Sequence, residues 1–356
     1  MQEVLKTMTK LLSAAFVLFF MACGGKGDPT TFFEIRLEGN QKKIQNGGLI
    51  GVAISNKKKK EINNITYLLD NKELSLANGK ITLSSEKLGN KLLKANINYE
   101  DGQTIEVSKK IQLLSATAPD IYTYEILNTY PHDPSAYTQG LEFSQDTLYE
   151  STGQKGSSTV RKVDYKTGKV LQKIDLDKSV FGEGITLLNN QLYQLTWQSG
   201  LGYVYNPNTL EKIKNFSYGE SREGWGLCND GQQIYKSDGT ERIWHLDPSS
   251  LQEMGYIETV TNKSIFNKAN ELEYVDGKIY ANVYQKESMM IIDATSGAIE
   301  GVVNFGGLKS QIVRGPEWDD VNSVLNGVAY HKERGTFFVT GKNWDKLFEV
   351  SIRKKQ

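Results

Sequence analysis

The chain has 356 residues, and its 42 lysines and arginines balance 42 aspartates and glutamates, so the formal net charge is zero. That length allows two domains, and the lack of a basic excess argues against a nucleic-acid partner. Two cysteines and three scattered histidines (His132, His245 and His331) offer no set at metal-ligand spacing, so no zinc site is expected.

The first stretch, MQEVLKTMTKLLSAAFVLFFMACGG, carries Lys6 and Lys10 and then an apolar run from Leu11 to Ala22. The run is short for a bilayer span and ends in small residues, which reads as an export signal. Its ending, Phe20-Met21-Ala22-Cys23-Gly24, resembles a bacterial lipobox, with Phe20 where Leu is usual. The expectation is a lipoprotein signal over residues 1–22, lipidation at Cys23 and a tether over 23–30. The chain would then be exported and anchored by lipid to the bacterial envelope, at the outer membrane facing the periplasm.

Strand-and-turn texture follows from 31 to 114: FFEIRLEG, GLIGVAIS, NITYLLDNKEL, LLKANINYEDG and EVSKKIQLL. Apolar and polar residues alternate in ANINY, and Asp101-Gly102 reads as a hairpin turn. About seven short strands in such a length suit a small immunoglobulin-like β-sandwich. No catalytic cluster falls there, and Lys57 to Lys60 reads as a solvated turn. Residues 115–120, with Pro119, form a linker.

From 121 to 356 a repeat appears. Five segments share one form: TQGLEFSQDTLYESTG, GEGITLLNNQLYQLTWQSG, GWGLCNDGQQIYKSDG, NELEYVDGKIYANVYQK and NGVAYHKERGTFFVTGKNW. Aligned at Gly140, Gly184, Gly226, Leu272 and Gly327, they recur about every 45 residues, the last interval being stretched by an insertion around Lys309 to Asn322. Two further strands separate successive segments, giving four strands per unit and an all-β, five-bladed β-propeller. The chain ends after a third strand, KLFEVSI, while IYTYEILNTY stands ahead of the first unit without a blade. Pairing the two closes the ring and leaves no open seam.

Equivalent positions of the repeats should face one central opening. One ring collects Gln139, Glu183, Trp225, Glu271 and Asn326, with Asn270 alongside; a second collects Gly153, Trp197, Gly239, Tyr284 and Lys342. A ring that served only packing would be small or apolar. Carboxylates, an ammonium, amides and indoles suit a site for a small polar ligand. Glu183 sits between Gly182 and Gly184, which by their lack of side chains are expected to let a ligand approach closely.

The stretches YPHDPSAYTQGLEF, FGEGITLL, EGWGL, NELEY, VLNGVAY and TGKNWDKLFEV, in this order, resemble the plant-type glutaminyl cyclases from about Ile121 to the C-terminus. The resemblance implies a five-bladed propeller acting on peptides or proteins with N-terminal glutamine, closing that residue into pyroglutamate with release of ammonia. By matching motifs it implies Glu183 as the proton-transfer residue and Lys342 as its catalytic partner. Tyr137, Gln139, Phe181, Trp197, Trp225, Asn270 and Tyr284 are implied as substrate-binding. Tyr137 holds a place usually taken by Phe, and Tyr284 one usually taken by Trp. In this scheme Lys342, Gln139 and Asn270 bind the carbonyl oxygen. The scheme requires no metal or other cofactor; a structural calcium in the channel, held by backbone carbonyls, would leave no side-chain signature. The competing reading is a non-catalytic envelope propeller that binds a peptide or small ligand.

Overall fold

The computed structural model describes residues 31–100 and 102–356. The signal segment, the tether and Cys23 lie outside the described residues.

Two sheets make up the N-terminal unit. Phe33–Leu37, Gly48–Asn56 and Lys80–Leu83 form a three-stranded sheet; Lys43–Gln45, Gln103–Leu114, Gly89–Tyr99, Ile62–Leu69 and Lys72–Leu74 form a five-stranded one, in that order. Alternation decides which side of each strand is covered. In Gly89–Tyr99 the buried residues Leu93, Ala95, Ile97 and Tyr99 share a face, and they meet Ile35, Ile50 and Ile81 of the other sheet in one core. Gly89–Tyr99 and Gln103–Leu114 pair antiparallel from Tyr99↔Gln103, as a hairpin requires; Asp101 of its turn is outside the described residues.

That core also takes in Val260 and Ala298 of the C-terminal unit, so the two units share buried apolar surface. Polar contacts rim the seam: the Asn90 backbone N–H and side-chain amide donate to Glu258 Oε2 at 2.6 and 2.9 Å.

The C-terminal unit is built from antiparallel four-stranded groups. Three are separate sheets, spanning 138–175, 182–217 and 227–258. The remaining two are joined in an eight-stranded sheet through Asp120–Pro131. This strand pairs antiparallel with Lys346–Lys354 and runs parallel to Ile299–Asn304 over a short overlap. The strand ahead of the first repeat therefore completes the last one, as the missing fourth strand leads one to expect. The five inner strands are Thr138–Ser144, Gly182–Leu188, Leu227–Asn229, Ala269–Val275 and Leu325–His331. Each lies against the next, and the last against the first. A separate apolar core fills each gap between neighbouring groups, for example Tyr193, Leu195, Leu227 and Trp244 in one and Cys228, Tyr235, Leu272 and Ile279 in the next.

The register corrects one alignment. The pairs Leu141↔Glu150, Ile185↔Gln194, Leu227↔Lys236, Leu272↔Ala281 and Val328↔Val339 are equivalent. Hence Asn270, not Glu271, stands where Glu183 stands in its own repeat. Glu271 replaces the glycine found at Gly140, Gly184, Gly226 and Gly327, and aligning on small or apolar residues slid that repeat by one.

Candidate active site

In four of the five groups the pairing of inner and second strands slips at one place: Thr138/Gly140, Gly182/Ile185, Ala269/Leu272 and Leu325/Val328. A bulge of this kind leaves a residue unpaired and turns its side chain out of the ladder. Gln139, Glu183, Asn270 and Asn326 are the residues so displaced, and Trp225 just precedes the short third inner strand. All nine residues named from the sequence (Tyr137, Gln139, Phe181, Glu183, Trp197, Trp225, Asn270, Tyr284 and Lys342) line one cavity of about 320 Å³, joined by Glu223 and Asn322.

The glycines around Glu183 answer a packing demand of their own. A Cβ on Gly184 would lie 2.6 Å from Gly226 Cα and Leu227 N of the neighbouring inner strand; one on Gly182 would lie 2.8 Å from Gln194 Nε2 and the Thr152 carbonyl oxygen. The close packing of neighbouring strands excludes side chains at both positions.

A chain of amides holds Glu183. Asn270 Nδ2 donates to Asn326 Oδ1, Asn326 Nδ2 donates to Gln139 Oε1, and Gln139 Nε2 donates to Glu183 Oε1, each at 2.9 Å. Gln139 is thus fixed with its amide nitrogen towards the carboxylate. Glu183 Oε2 is buried and accepts no hydrogen bond. Burial raises the Glu183 carboxyl well above its ordinary range, against the opposing pull of Lys342.

Lys342 follows the strand Thr336–Gly341 and is itself buried. Its ammonium lies 4.7 Å from the centre of the Tyr137 ring and 5.4 Å from that of Tyr284, and among the described residues it has no hydrogen-bond or ion-pair partner. Burial lowers its pKa to about 8, with Glu183 acting in the opposite sense. Of the three expected donors to a carbonyl oxygen, Gln139 and Asn270 already donate within the amide chain, and Lys342, the one charged donor, is unengaged.

The aromatic side chains form a belt around these groups. Trp197 packs on Phe181 with ring centroids 5.6 Å apart, Phe181 on Tyr137 at 6.0 Å, and Trp225 on Tyr284 at 5.4 Å. Glu223 closes the circuit, its Oε2 accepting from the indole nitrogens of Trp197 at 2.8 Å and Trp225 at 2.9 Å. Sequence reasoning missed Glu223. It stands two residues before Trp225 in REGWG, but its second indole comes from a different repeat, and only folding supplies it. Asn322, also missed, comes from the insertion; Asp319 there accepts from the backbone N–H groups of Val321 and Asn322 and so caps its own turn.

Gly153 and Gly239 explain how two bulky rings fit. A Cβ on Gly153 would lie 2.3 Å from the Phe181 ring, and one on Gly239 2.5 Å from the Trp225 ring; Gly239 also has φ +80. Gly239→Ala is therefore expected to push Trp225 off its seat, and to raise KM about tenfold with a smaller change in kcat. Steady-state kinetics on the variant, with intrinsic tryptophan fluorescence as the structural readout, checks this. Wild-type kinetics would refute it.

Deeper in the ring, Glu271 and Glu273 are buried and Glu142 partly so, and burial raises all three carboxyls, Glu142 to about 7. Glu271 accepts from the backbone N–H groups of Leu141 and Val328, and Glu273 from those of Tyr274 and Tyr330. Their oxygens are turned to backbone donors. Among the described residues no group of three or more His, Cys, Asp or Glu is arranged to hold a metal ion.

Comparison with known proteins bears on this pocket. Residues 101–352 match the family model described as glutamine cyclotransferase. The chain is 37% identical over 239 residues to a glutaminyl-peptide cyclotransferase of Arabidopsis thaliana, a match covering 65% of this chain and 71% of that one. It superposes on the crystal structure of Myxococcus xanthus glutaminyl cyclase with a TM-score of 0.62 and 30% identity, over 67% of this chain and 100% of the other.

Proposed function

The chain belongs to the glutamine cyclotransferase family, and from that premise we propose how its pocket closes an N-terminal glutamine into pyroglutamate and ammonia. The observation that carries the mechanism is a buried carboxylate with one free oxygen, on Glu183, sharing a small cavity with the unpaired ammonium of Lys342.

The α-amine attacks the side-chain carbonyl carbon of the same residue. A new N–C bond forms, and the C–N bond to the side-chain amide nitrogen breaks. Nucleophile and electrophile are already tethered, so selecting one rotamer supplies much of the advantage. A free α-amine has a pKa of about 7.7–8.0, so a neutral fraction is available near neutrality. As the ring closes, Glu183 Oε2 accepts the proton the amine loses, then delivers it to the departing nitrogen, which leaves as ammonia. Lys342 stabilises the negative charge on the carbonyl oxygen in between. Phe181, Trp197, Trp225 and Tyr284 wall the substrate and keep bulk water from the reacting atoms, while the amide chain through Asn326 and Gln139 aims Glu183.

We read the ring of four-stranded groups as a five-bladed β-propeller over 121–356. Support comes from the cyclic contact of its inner strands and the strand exchange between its ends. The two sheets over 31–114 we read as an immunoglobulin-like sandwich joined by a linker at 115–120. Residues 1–22 and Cys23 we assign to export and lipid anchoring at the bacterial envelope, on their sequence pattern alone.

The test is ammonia release from a peptide beginning with glutamine, with mass spectrometry of the product and a parallel run in chelator. One ammonia per pyroglutamyl product, with and without chelator, is expected. No turnover by the wild type across pH 6–9 would favour a binding propeller instead.

A further inference from the structure

The wall of the pocket at Tyr137 and Asn322 is shared with a second, larger groove of about 1160 Å³. We infer that this groove receives the peptide chain following the N-terminal glutamine, and that it does so through main-chain contacts with little regard to sequence; the inference rests on the cyclisation reading above.

The substrate's own connectivity sets the first requirement. Its amine and side chain react between Glu183 and Lys342, so its α-carbonyl must leave the pocket carrying every later residue. A cavity of about 320 Å³ has the size of a small-molecule site and leaves little room for that chain. Two depressions border it. The one at Glu223 and Trp225 is smaller, about 600 Å³, and Glu223 spends its Oε2 there on two indoles. The groove at Tyr137 and Asn322 is roomier, and its threshold carries unengaged polar groups. The Tyr137 hydroxyl has no hydrogen-bond partner among the described residues. Asn322 donates to Asp319 from its backbone N–H and from Nδ2, which leaves Oδ1 as an acceptor. One donor and one acceptor match the C=O and N–H of a peptide bond.

The groove carries charges of both signs, Lys155, Arg161 and Lys173 against Asp133, Asp175, Glu317 and Asp319. Arg161 pairs with Asp133 at 2.8 Å and Lys173 with Asp175 at 3.3 Å. A lining of mixed and nearly balanced sign favours neither an acidic nor a basic peptide, whereas hydrogen bonds to the main chain serve any sequence.

Glutamine amide and two glutaminyl pentapeptides of opposite net charge provide the experiment, with kcat and KM measured on the full chain. Ser157 and Glu317, exposed on separate segments of the lining, give two plugs, Ser157→Trp and Glu317→Trp. For the wild type, both pentapeptides are expected to exceed the amide in kcat/KM by about tenfold or more, and to differ from each other by less than about threefold. Either plug is expected to cut the pentapeptide-to-amide ratio about tenfold, mainly through KM. Equal kcat/KM for amide and pentapeptides, or a ratio untouched by both plugs, would overturn the groove while leaving the cyclase reading intact. A large gap between the two pentapeptides would overturn the sequence tolerance. Turnover of neither substrate class would bring down the cyclase reading and the groove with it.

Discussion

Glu183→Gln is expected to lower kcat by about 10²–10⁴-fold, the usual worth of a positioned acid–base group, with KM changed little. Glutamine has nearly the shape of glutamate and keeps an oxygen able to accept from Gln139 Nε2, so the amide chain survives. What disappears is the basic oxygen now left without a partner. The same variant makes a prediction about stability. Burial raises the Glu183 carboxyl, so the folded state holds that proton more tightly than the unfolded chain does. Its contribution is fully present below the unfolded carboxyl range, and is lost as pH rises through the higher folded value. Glutamine cannot ionise and escapes that loss. The Tm of Glu183→Gln should therefore equal or exceed that of the wild type, and the difference should grow with pH above about 4.5. Turnover within about tenfold of wild type would remove Glu183 from the proton path.

Lys342→Met is expected to cost about 10²–10³-fold in kcat, as loss of one preorganised donor to a developing oxyanion does. Methionine keeps the length and apolar contact of the side chain between Tyr137 and Tyr284 but carries no charge. The pH profile separates this role from simple packing. Activity should rise towards pH 8 as the substrate amine and the raised Glu183 carboxyl lose their protons, and fall above it as Lys342, lowered to about 8, loses its own. In Lys342→Arg the descending limb should move to higher pH, because guanidinium stays charged. The sign for stability is the reverse of a surface lysine. A lysine whose pKa is depressed on folding costs stability below about 8 and recovers it towards the ordinary value near 10.5. Lys342→Met should thus not lower the Tm at neutral pH. A descending limb that stays in place in Lys342→Arg would assign it to another group.

Strand positions were legible because alternation and turn residues are local signals. The repeat was legible because five copies of one pattern in a single chain amount to an internal comparison. That is why Trp197, Tyr284 and Lys342, lying beyond three different second strands, were gathered from spacing and motifs alone. The one-residue slip at Glu271 shows where this stops. Glu271 stands where the other four repeats carry glycine, and register belongs to two strands, so a single string of letters does not reveal which residue holds that place.

Residue type and short-range order are enough to set the strands, the period and the kinds of chemical group offered to the centre. Folding settles which oxygen of Glu183 stays free, that Glu223 ties two indoles together, that the glycines beside Glu183 make room for neighbouring strands, and that Lys342 stands without a counter-ion in contact. These are contacts between residues tens to hundreds of positions apart, and their hydrogen bonds and desolvation exist only once the inner strands converge.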